Sequence, residues 1–431
     1  MTNHNPMFYG IQLIIYLYLV VFGLHTGHCS SLIDSYQLDI TSSFNPVGSG
    51  ARALGMGGAF IAVADDATSA SWNPGGLVQL RKPEIAFVYE WVKRNDDNSF
   101  NDFQPFSGKQ SVTNPDINYL SISFPFSLFN RNMVISYNYH KLYDLNKEWS
   151  LRSRLLENNY TQKGKLAAYG IAYGVRLMKD LSFGITINFW DNFFDQNGWT
   201  ETQIDTIQII ESQTIRQSDY SLKGINANLG LIWRINEAVT FGAVLKLPFN
   251  AKLDRNILYQ KYNYNLLTER YDLNSEESLE FPSSYGIGLG YRVTESFTIS
   301  GDIYRTNWQH FIHNQIKGPI SPISGQSVGV SQIHPTTQVR LGMEYLFVNS
   351  AKKYEIPLRS GIFYDPAPAK NTTDDFWGIS FGIGLATVKH CIDFAYQFRW
   401  GNNVRAYLAK NFDFSQDVQE HTIYSSYVYH F

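Results

Sequence analysis

The sequence predicts an all-β fold, an antiparallel transmembrane β-barrel of 14 strands. Three observations predict it. Only 17% of the 431 residues are charged, below the roughly 25% of soluble domains, while aromatic residues make up 15%. Beyond residue 80, apolar and polar side chains alternate with the period of a strand. Long polar stretches also alternate with tight turns, which is typical of bacterial outer-membrane barrels.

Composition excludes several other classes of protein. A mean hydropathy of −0.23 is too polar for a polytopic helical membrane protein. The 35 Lys and Arg against 38 Asp and Glu leave no basic excess for binding nucleic acid. Two cysteines, Cys29 and Cys391, are too few for a disulfide scaffold. No Ser/His/acid motif and no metal-ligand spacing is present, so we expect no enzyme, no cofactor and no metal.

The N-terminus predicts a signal peptide over residues 1–30. Its apolar segment, Ile11 to Leu24, has 14 residues, fewer than the ~20 that span a bilayer as a helix. The preceding residues lack Lys and Arg, so an uncleaved anchor stays open as an alternative. We expect cleavage between Cys29 and Ser31 without lipidation, which leaves Cys391 unpaired.

Alternation defines the strands one by one. Ile392, Phe394 and Tyr396 lie on one face of a strand whose other face carries Cys391 and Asp393. A helix cannot produce this pattern. We predict strands at 84–93, 115–126, 131–141, 165–177, 181–192, 218–235, 238–249, 282–293, 296–309, 335–348, 355–364, 376–388, 390–401 and 421–431.

The connections sort by length. The tight turns are 127–130, 178–180, 236–237 and 294–295. The long polar loops are 94–114, 142–164, 193–217, 250–281, 310–334, 365–375 and 402–420. Residues 253–273 fit either a loop or a fifteenth strand. This layout predicts long loops outside the cell and both chain termini in the periplasm.

The chain ends with aromatic residues at alternate positions, Tyr427, Tyr429 and Phe431. This ending resembles the signal by which the barrel assembly machinery recognises outer-membrane barrels. Aromatic residues near strand ends fit an interface girdle in contact with outer-membrane lipid and lipopolysaccharide: Trp233, Tyr291, Trp377 and Trp400. We therefore expect the outer membrane of a Gram-negative-type bacterium. An ordinary edge strand and the core of a soluble protein are the alternatives.

Residues 44–80 are rich in Gly and Ala and show no alternation. A dinucleotide-binding loop does not fit, because no strand precedes the glycines and no strand–helix–strand unit follows. Inward positions of the barrel strands are small, among them Gly286, Gly288 and Gly382, and this leaves room for a compact plug. We expect residues 31–82 to form an N-terminal hatch inside the lumen and residues 83–431 to form the barrel.

The hatch region resembles the FadL/TodX family of outer-membrane transporters. The resemblance lies in Gly50 to Phe60, Ala64 to Thr68 and Trp72 to Leu77, with further similarity at 282–286, 302–308 and 359–368. The family's Asn-Pro-Ala is here Asn73, Pro74 and Gly75.

The resemblance implies a plugged barrel and a sideways exit beside the third strand. The resemblance places Asn73 and Pro74 near strand 131–141 and includes Asp65 and Asp66 in the same hatch motif. It implies passive diffusion of hydrophobic small molecules, long-chain fatty acids or related hydrocarbons, with no role for nucleic acid. The alternative is an accessory barrel of a protein secretion system that resembles PorV.

Three arginines, Arg176, Arg234 and Arg292, precede short turns on the inward face of their strands. They would form a ring near the periplasmic mouth. We expect Asp65 and Asp66 to neutralise this ring as a latch. Alternatively, the arginines end their strands in water or pair with barrel carboxylates such as Asp302.

Overall fold

The computed structural model describes residues 38, 40, 43–100, 107–152, 156–193, 196–405 and 414–431. The predicted signal peptide, with Cys29, lies outside the described residues. Within the described ranges, no helix is long and apolar enough to cross a membrane.

The described strands form a closed antiparallel barrel of 14, which confirms the predicted fold class. Several barrel strands consist of two consecutive segments. The strands are β1 (Glu84–Phe100), β2 (Gly108–Leu128), β3 (Arg131–Asp144 and Lys147–Arg152), β4 (Leu156–Met178), β5 (Leu181–Trp190 and Gly198–Ile207), β6 (Ser212–Arg234), β7 (Val239–Lys246 and Phe249–Asn263), β8 (Leu266–Phe281 and Ser284–Thr294), β9 (Phe297–Thr306 and Ile312–Gln315), β10 (Thr336–Asn349), β11 (Tyr354–Tyr364), β12 (Trp377–Thr387), β13 (His390–Val404) and β14 (Phe414–His430).

Closure joins the last strand to the first. The register of β1 against β14 runs without a shift from Glu84↔His430 to Phe100↔Phe414. Each of the other strands pairs with the strand that follows it in the chain. A closed wall leaves no strand edge facing lipid, where an unpaired backbone group is costly.

Five of the predicted loops are wrong in large part. Most of 94–114, 142–164, 193–217 and 250–281 continues β1 to β8 beyond the predicted strand ends, and more than half of 402–420 continues β13 and β14. The ambiguous segment 253–273 belongs to β7 and β8, which pair with each other from Phe249↔Phe281 to Asn263↔Leu266. These outer parts carry polar residues on their outward face, so the lipid-facing alternation disappears while the backbone pairing continues.

Short helical elements precede the barrel: α1 (Ala51–Gly55), α2 (Ser69–Trp72) and a 3₁₀ helix over Pro74–Gln79. Residues 43–80, here called the hatch segment, contact strands on different sides of the barrel. Tyr119 of β2 donates to the carbonyl of Ala67 at 2.9 Å, and Ser380 of β12 donates to that of Gly55 at 3.0 Å. The hatch segment therefore lies inside the wall. The boundary at residue 82 stays a prediction.

The remaining elements are small and lie in connections between barrel strands. They are 3₁₀ helices at Gln208–Ile210, Trp308–His310 and Val328–Val330, and short strands at Gly318–Ile320, Ala367–Pro368 and Thr373–Asp374.

Candidate functional site: the barrel interior

Inward glycines bring the barrel wall into direct contact with the hatch segment. A Cβ at Gly184 of β5 would overlap the carbonyl of Pro74, and one at Gly342 of β10 would overlap that of Met56. The glycines whose added Cβ would meet the hatch segment within 3.1 Å are Gly174, Gly184, Gly230, Gly242, Gly286, Gly288, Gly290, Gly342, Gly361 and Gly382. Small wall residues thus form a recess that the hatch segment fills, with no room left for a side chain between them.

The predicted lumen glycines belong to this set. A Cβ at Gly286 or Gly288 would come within 2.9 Å of Ile61, and one at Gly382 would lie 3.1 Å from the Cα of Gly55. All three positions therefore face the hatch segment.

Asn73 connects the hatch segment to the wall. Its amide nitrogen donates to the carbonyl of Ile61 at 2.9 Å and to that of Leu231 of β6 at 3.0 Å, and its amide oxygen accepts from the amide of Gly75 at 3.1 Å. Because Leu231 lies on β6, the placement of Asn73 near strand 131–141 is wrong.

Pro74 contacts β4, β5 and β6 rather than strand 131–141 itself. It packs between Gly184 of β5 and Gly230 of β6, where the wall has no side chains. The corresponding part of β3 carries Val134, which is buried against the apolar side chains of Ala70 and Leu77. The absence of side chains on β5 and β6 explains why Pro74 lies there.

Asp65 and Asp66 pair within the hatch segment. Asp65 forms an ion pair with Arg52, whose guanidinium also lies 3.6 Å from Asp66. Asp66 accepts hydrogen bonds from the amide and the hydroxyl of Thr68 at 2.8 and 2.6 Å. Burial raises the pKa of the Asp66 carboxyl, and the charge of Arg52 opposes that rise.

The predicted arginine latch is therefore wrong. Arg234 and Arg292 are exposed, and Arg176 approaches the carbonyl of Val78 at 3.5 Å rather than either carboxylate. Arg52 takes that role because it is in the same short segment as Asp65 and Asp66.

A chain of buried ion pairs extends from Arg52 into the wall. Arg52 contacts both carboxylate oxygens of Glu344 on β10 at 3.0 and 3.1 Å. Glu344 also accepts from Arg359 of β11 at 2.6 Å, and Arg359 donates to Asp393 of β13 at 2.5 Å. Sequence reasoning missed this network. The available signal was a set of inward charges, among them Glu344 and Arg359, on strands that are otherwise apolar or small.

Asp302 of β9 holds the backbone of the hatch segment. Its Oδ2 accepts from the amides of Phe60 and Ile61 at 2.7 and 2.9 Å. Arg340 of β10 donates to the carbonyl of Gly57 at 2.8 Å. The alternative of pairing Asp302 with the three predicted arginines does not occur, because the carboxylate binds backbone amides.

A cavity of about 130 Å³ lies between the hatch segment and the wall. Its lining carries paired charges. Lys141 of β3 lies 2.6 Å from Glu90 and 2.9 Å from Asp144, and Arg399 donates to Asp365 at 2.9 Å. The other charged lining residues are Arg94, Arg340 and Glu420. Apolar side chains such as Val47, Trp72 and Phe363 also line this space, so its walls combine paired charges with apolar surface.

A cluster of aromatic rings fills another part of the interior. Phe281 of β8 stacks on Phe249 of β7 with ring centroids 4.7 Å apart, and Trp190 of β5 lies 5.8 Å from Phe281. The chain of contacts continues through Phe311 and Trp308 to Phe44 of the hatch segment. These rings lie in a row from the wall to the hatch segment. The row is apolar, and the rings themselves fill the space along it. In the described part of the chain, no group of His, Cys, Asp or Glu could hold a metal ion.

Comparison with known proteins agrees with a closed barrel. A family model described as BamG matches residues 52–403. The chain belongs to the BamG family. No curated protein matches this BamG-family chain.

Solved structures share the fold of this BamG-family barrel. A FadL homologue from Pseudomonas aeruginosa is 11% identical, with a TM-score of 0.64, and the match covers 90% of this chain and 100% of that chain. The Pseudomonas putida toluene transporter TodX is 14% identical, with a TM-score of 0.62, and the match covers 91% of this chain and 100% of that chain. The Ralstonia pickettii toluene transporter TbuX is 12% identical, with a TM-score of 0.55, and the match covers 90% of this chain and 100% of that chain. The predicted FadL-like barrel is confirmed as a fold.

Proposed function

We propose that this BamG-family chain is a closed outer-membrane barrel that serves as an accessory subunit in outer-membrane protein assembly or secretion. The observation that carries the proposal is the close contact of the hatch segment with inward glycines of β4 to β8 and β10 to β12, which leaves no room for a side chain between them. The family name BamG points to barrel assembly. The proposal develops the predicted alternative, a PorV-like accessory barrel.

The remaining interior space supports a role other than conduction of apolar ligands. Sites for small molecules usually have volumes of about 300–1,000 Å³ and mostly apolar walls. The cavity of about 130 Å³ is smaller than that range, although its lining includes apolar side chains such as Val47 and Trp72 beside ion pairs such as Lys141 with Glu90. Its volume therefore limits the size of a ligand that it could hold.

The wall beside the third strand, where the family resemblance implies a sideways exit, is paired on both sides only in part. β3 pairs with β2 from Tyr119↔His140 to Leu128↔Arg131. It pairs with β4 from Met133↔Val175 outward, with one register shift after Lys141. Beyond His140, the described pairs of β3 are with β4 alone, so this stretch of the wall does not decide between the two candidate functions.

Placement in the outer membrane rests on the outer surface of the barrel. Its lipid-facing positions expose large apolar side chains, for example Ile287 and Leu289 at 50% and Leu341 at 49%. We infer that a signal peptide directs export and that the aromatic C-terminal strand, ending at Phe431, is read during insertion by the barrel assembly machinery.

Transport is the second candidate, and the aromatic cluster favours it. Rings from Trp190 to Phe44 form an apolar path between the wall and the hatch segment. The structural neighbours include toluene transporters and a monoaromatic hydrocarbon channel. In this reading, long-chain fatty acids or related hydrocarbons diffuse passively through the barrel after the rings and the hatch segment rearrange.

A depletion experiment in the native host separates the two functions. We expect depletion to lower the amount of other folded outer-membrane barrels, measured by heat-modifiability on gels, while uptake of labelled oleate and toluene per cell stays unchanged. Loss of uptake with normal levels of the other barrels would contradict the accessory role and support transport.

A further inference from the structure

One strand of the barrel has an unpaired edge far from the membrane. The outer part of β8, Leu266–Glu277, pairs only with β7. On its other side, β9 reaches β8 only at Ser278–Glu280 and then along Ser284–Thr294. Residues 266–277, here called the β8 edge, thus have no neighbouring strand on one side among the described residues. The edge exists because β4 to β8 extend further outward than β9 to β12.

Distance excludes lipid as the natural occupant of this edge. Tyr285, 47% exposed, lies on the lipid-facing surface of β8. With about 3.3 Å per residue and a strand tilt near 40°, the β8 edge lies roughly 20 to 50 Å beyond Tyr285. The edge therefore meets water, where an unpaired row of N–H and C=O groups can template another strand.

The charge of the β8 edge is unbalanced. Residues 266–277 contain one basic residue, Arg270, against four acids, Glu269, Asp272, Glu276 and Glu277. Glu277 is buried against His313, and Glu269 and Glu276 form surface ion pairs with Lys261 and Lys252 of β7 at 3.6 and 3.2 Å, a kind of pair that contributes little in water. Asp272 and Glu276 share a face because they are an even number of residues apart. Asp272 is exposed, and the Glu276 side chain is 77% exposed. The edge contains no Lys or Pro, two of the residues that commonly protect edge strands.

An apolar tip adjoins the start of the β8 edge. Leu266 is 70% exposed and Tyr264 is 66% exposed, and Ile209 on the neighbouring β5–β6 connection is also 66% exposed. The amide of Tyr264 donates to the carbonyl of Glu211 at 2.9 Å, so the two hairpin ends lie side by side. Tyr264 has a φ of 50°, a conformation that a tyrosine rarely adopts.

We propose that the β8 edge binds an extended, basic segment of a partner protein by antiparallel strand addition. Main-chain hydrogen bonds along Leu266–Glu277 supply the pairing, and basic side chains opposite Asp272 and Glu276 supply the charge complement. The apolar tip at Tyr264 and Leu266 receives an apolar side chain at the end of the segment. The inference goes beyond the proposed function, because the edge is present whether or not the barrel conducts.

A second copy of this chain is a poor occupant. Two β8 edges paired antiparallel would place acidic residues of one copy opposite acidic residues of the other around Asp272. Like charges opposite each other destabilise a strand pair. The partner is therefore a different protein whose segment carries Lys or Arg at alternate positions.

Peptide binding to the purified full-length barrel in detergent tests this proposal. The probe is a fluorescent peptide of alternating Thr and Lys, and its binding is followed by fluorescence anisotropy. The matched peptides are one of alternating Thr and Glu, and a Thr/Lys peptide methylated at every backbone nitrogen. We expect the Thr/Lys peptide to bind at least tenfold more tightly than either of the others.

Variants locate the binding on the barrel. Asp272→Lys combined with Glu276→Lys should weaken binding of the Thr/Lys peptide about tenfold. Asp97→Lys, at a half-exposed acid of β1, should leave the binding unchanged. Heat-modifiability confirms that each variant is folded. Equal binding of the methylated peptide would show charge attraction without strand addition and would overturn the proposal. An equal loss of binding in the Asp272/Glu276 double variant and in the Asp97 variant would overturn it as well.

Discussion

Asp302 shows at the level of a single residue how the wall holds the hatch segment. Its Oδ2 accepts two backbone hydrogen bonds, from Phe60 at 2.7 Å and Ile61 at 2.9 Å. Hydrogen bonds to a charged acceptor are the stronger kind, and a buried amide that loses its partner is costly. A single wall carboxylate therefore fixes the turn of the hatch segment that enters the glycine recess.

Removal of this carboxylate should loosen the hatch segment. We expect Asp302→Ala to lower the free energy of unfolding by about 3 kcal/mol, because two buried N–H groups lose their acceptor. The measurement is the temperature at which the folded barrel converts to the unfolded band on gels. The control is Ser300→Ala on the same strand, where the buried hydroxyl has no hydrogen-bond partner. Equal shifts in the two variants would contradict the role of Asp302.

The inward glycines make a second prediction at this scale. Gly184→Leu should destabilise the barrel by about 2 kcal/mol, because its side chain would displace Pro74. The matched control is Gly301→Leu, where an added Cβ would lie 3.7 Å from the nearest atom, the carbonyl oxygen of Arg340. Heat-modifiability measures both. If Gly301→Leu is as damaging as Gly184→Leu, the glycines serve strand geometry rather than hatch packing.

At the scale of elements, the strands divide into a lipid-crossing part and an outer part. β7 and β8 continue outward as one paired hairpin, with Tyr259 opposite Tyr271 in register. The outer part carries polar outward residues and needs no membrane. Its stability comes from pairing and from inward contacts, such as the stacking of Trp199 on Tyr220 with ring centroids 4.4 Å apart.

This division predicts that the hairpin can be shortened. Replacement of residues 260–270 by an Asn-Gly turn should leave a folded, heat-modifiable barrel, because the cut joins Tyr259 to Tyr271, which are already paired. Removal of residues 284–294, the lipid-crossing part of β8, should abolish assembly. Failure of the shortened hairpin to fold would show that the outer part is required for the barrel itself.

The same division explains which elements the sequence predicts well. The predicted strands 131–141 and 376–388 lie close to the observed Arg131–Asp144 and Trp377–Thr387, because lipid on one side enforces alternation. Residues 253–273 are ambiguous in the sequence, since polar residues on the outward face remove that signal. Arg52 was missed because its partner Glu344 is 292 residues away, and a contact of that separation has no local pattern.

For the whole molecule, closure of the wall and filling of the lumen are separate properties. The pairing of β1 with β14 closes the wall, and the hatch segment packs against inward glycines of β4 to β8 and β10 to β12 inside it. Strand count and alternation in the sequence predict the closed wall. The small inward residues predict the plug only in outline, because the positions of Asn73, Pro74 and the arginines depend on the three-dimensional packing.

Single-channel conductance of the purified barrel in a planar lipid bilayer tests the sealed lumen most directly. We expect no conductance steps for the native chain, because the hatch segment fills the recess and the remaining cavity is about 130 Å³. Deletion of residues 43–80 should produce a large and steady conductance, which serves as the positive control for insertion. Steps of similar size from the native chain would contradict a sealed barrel.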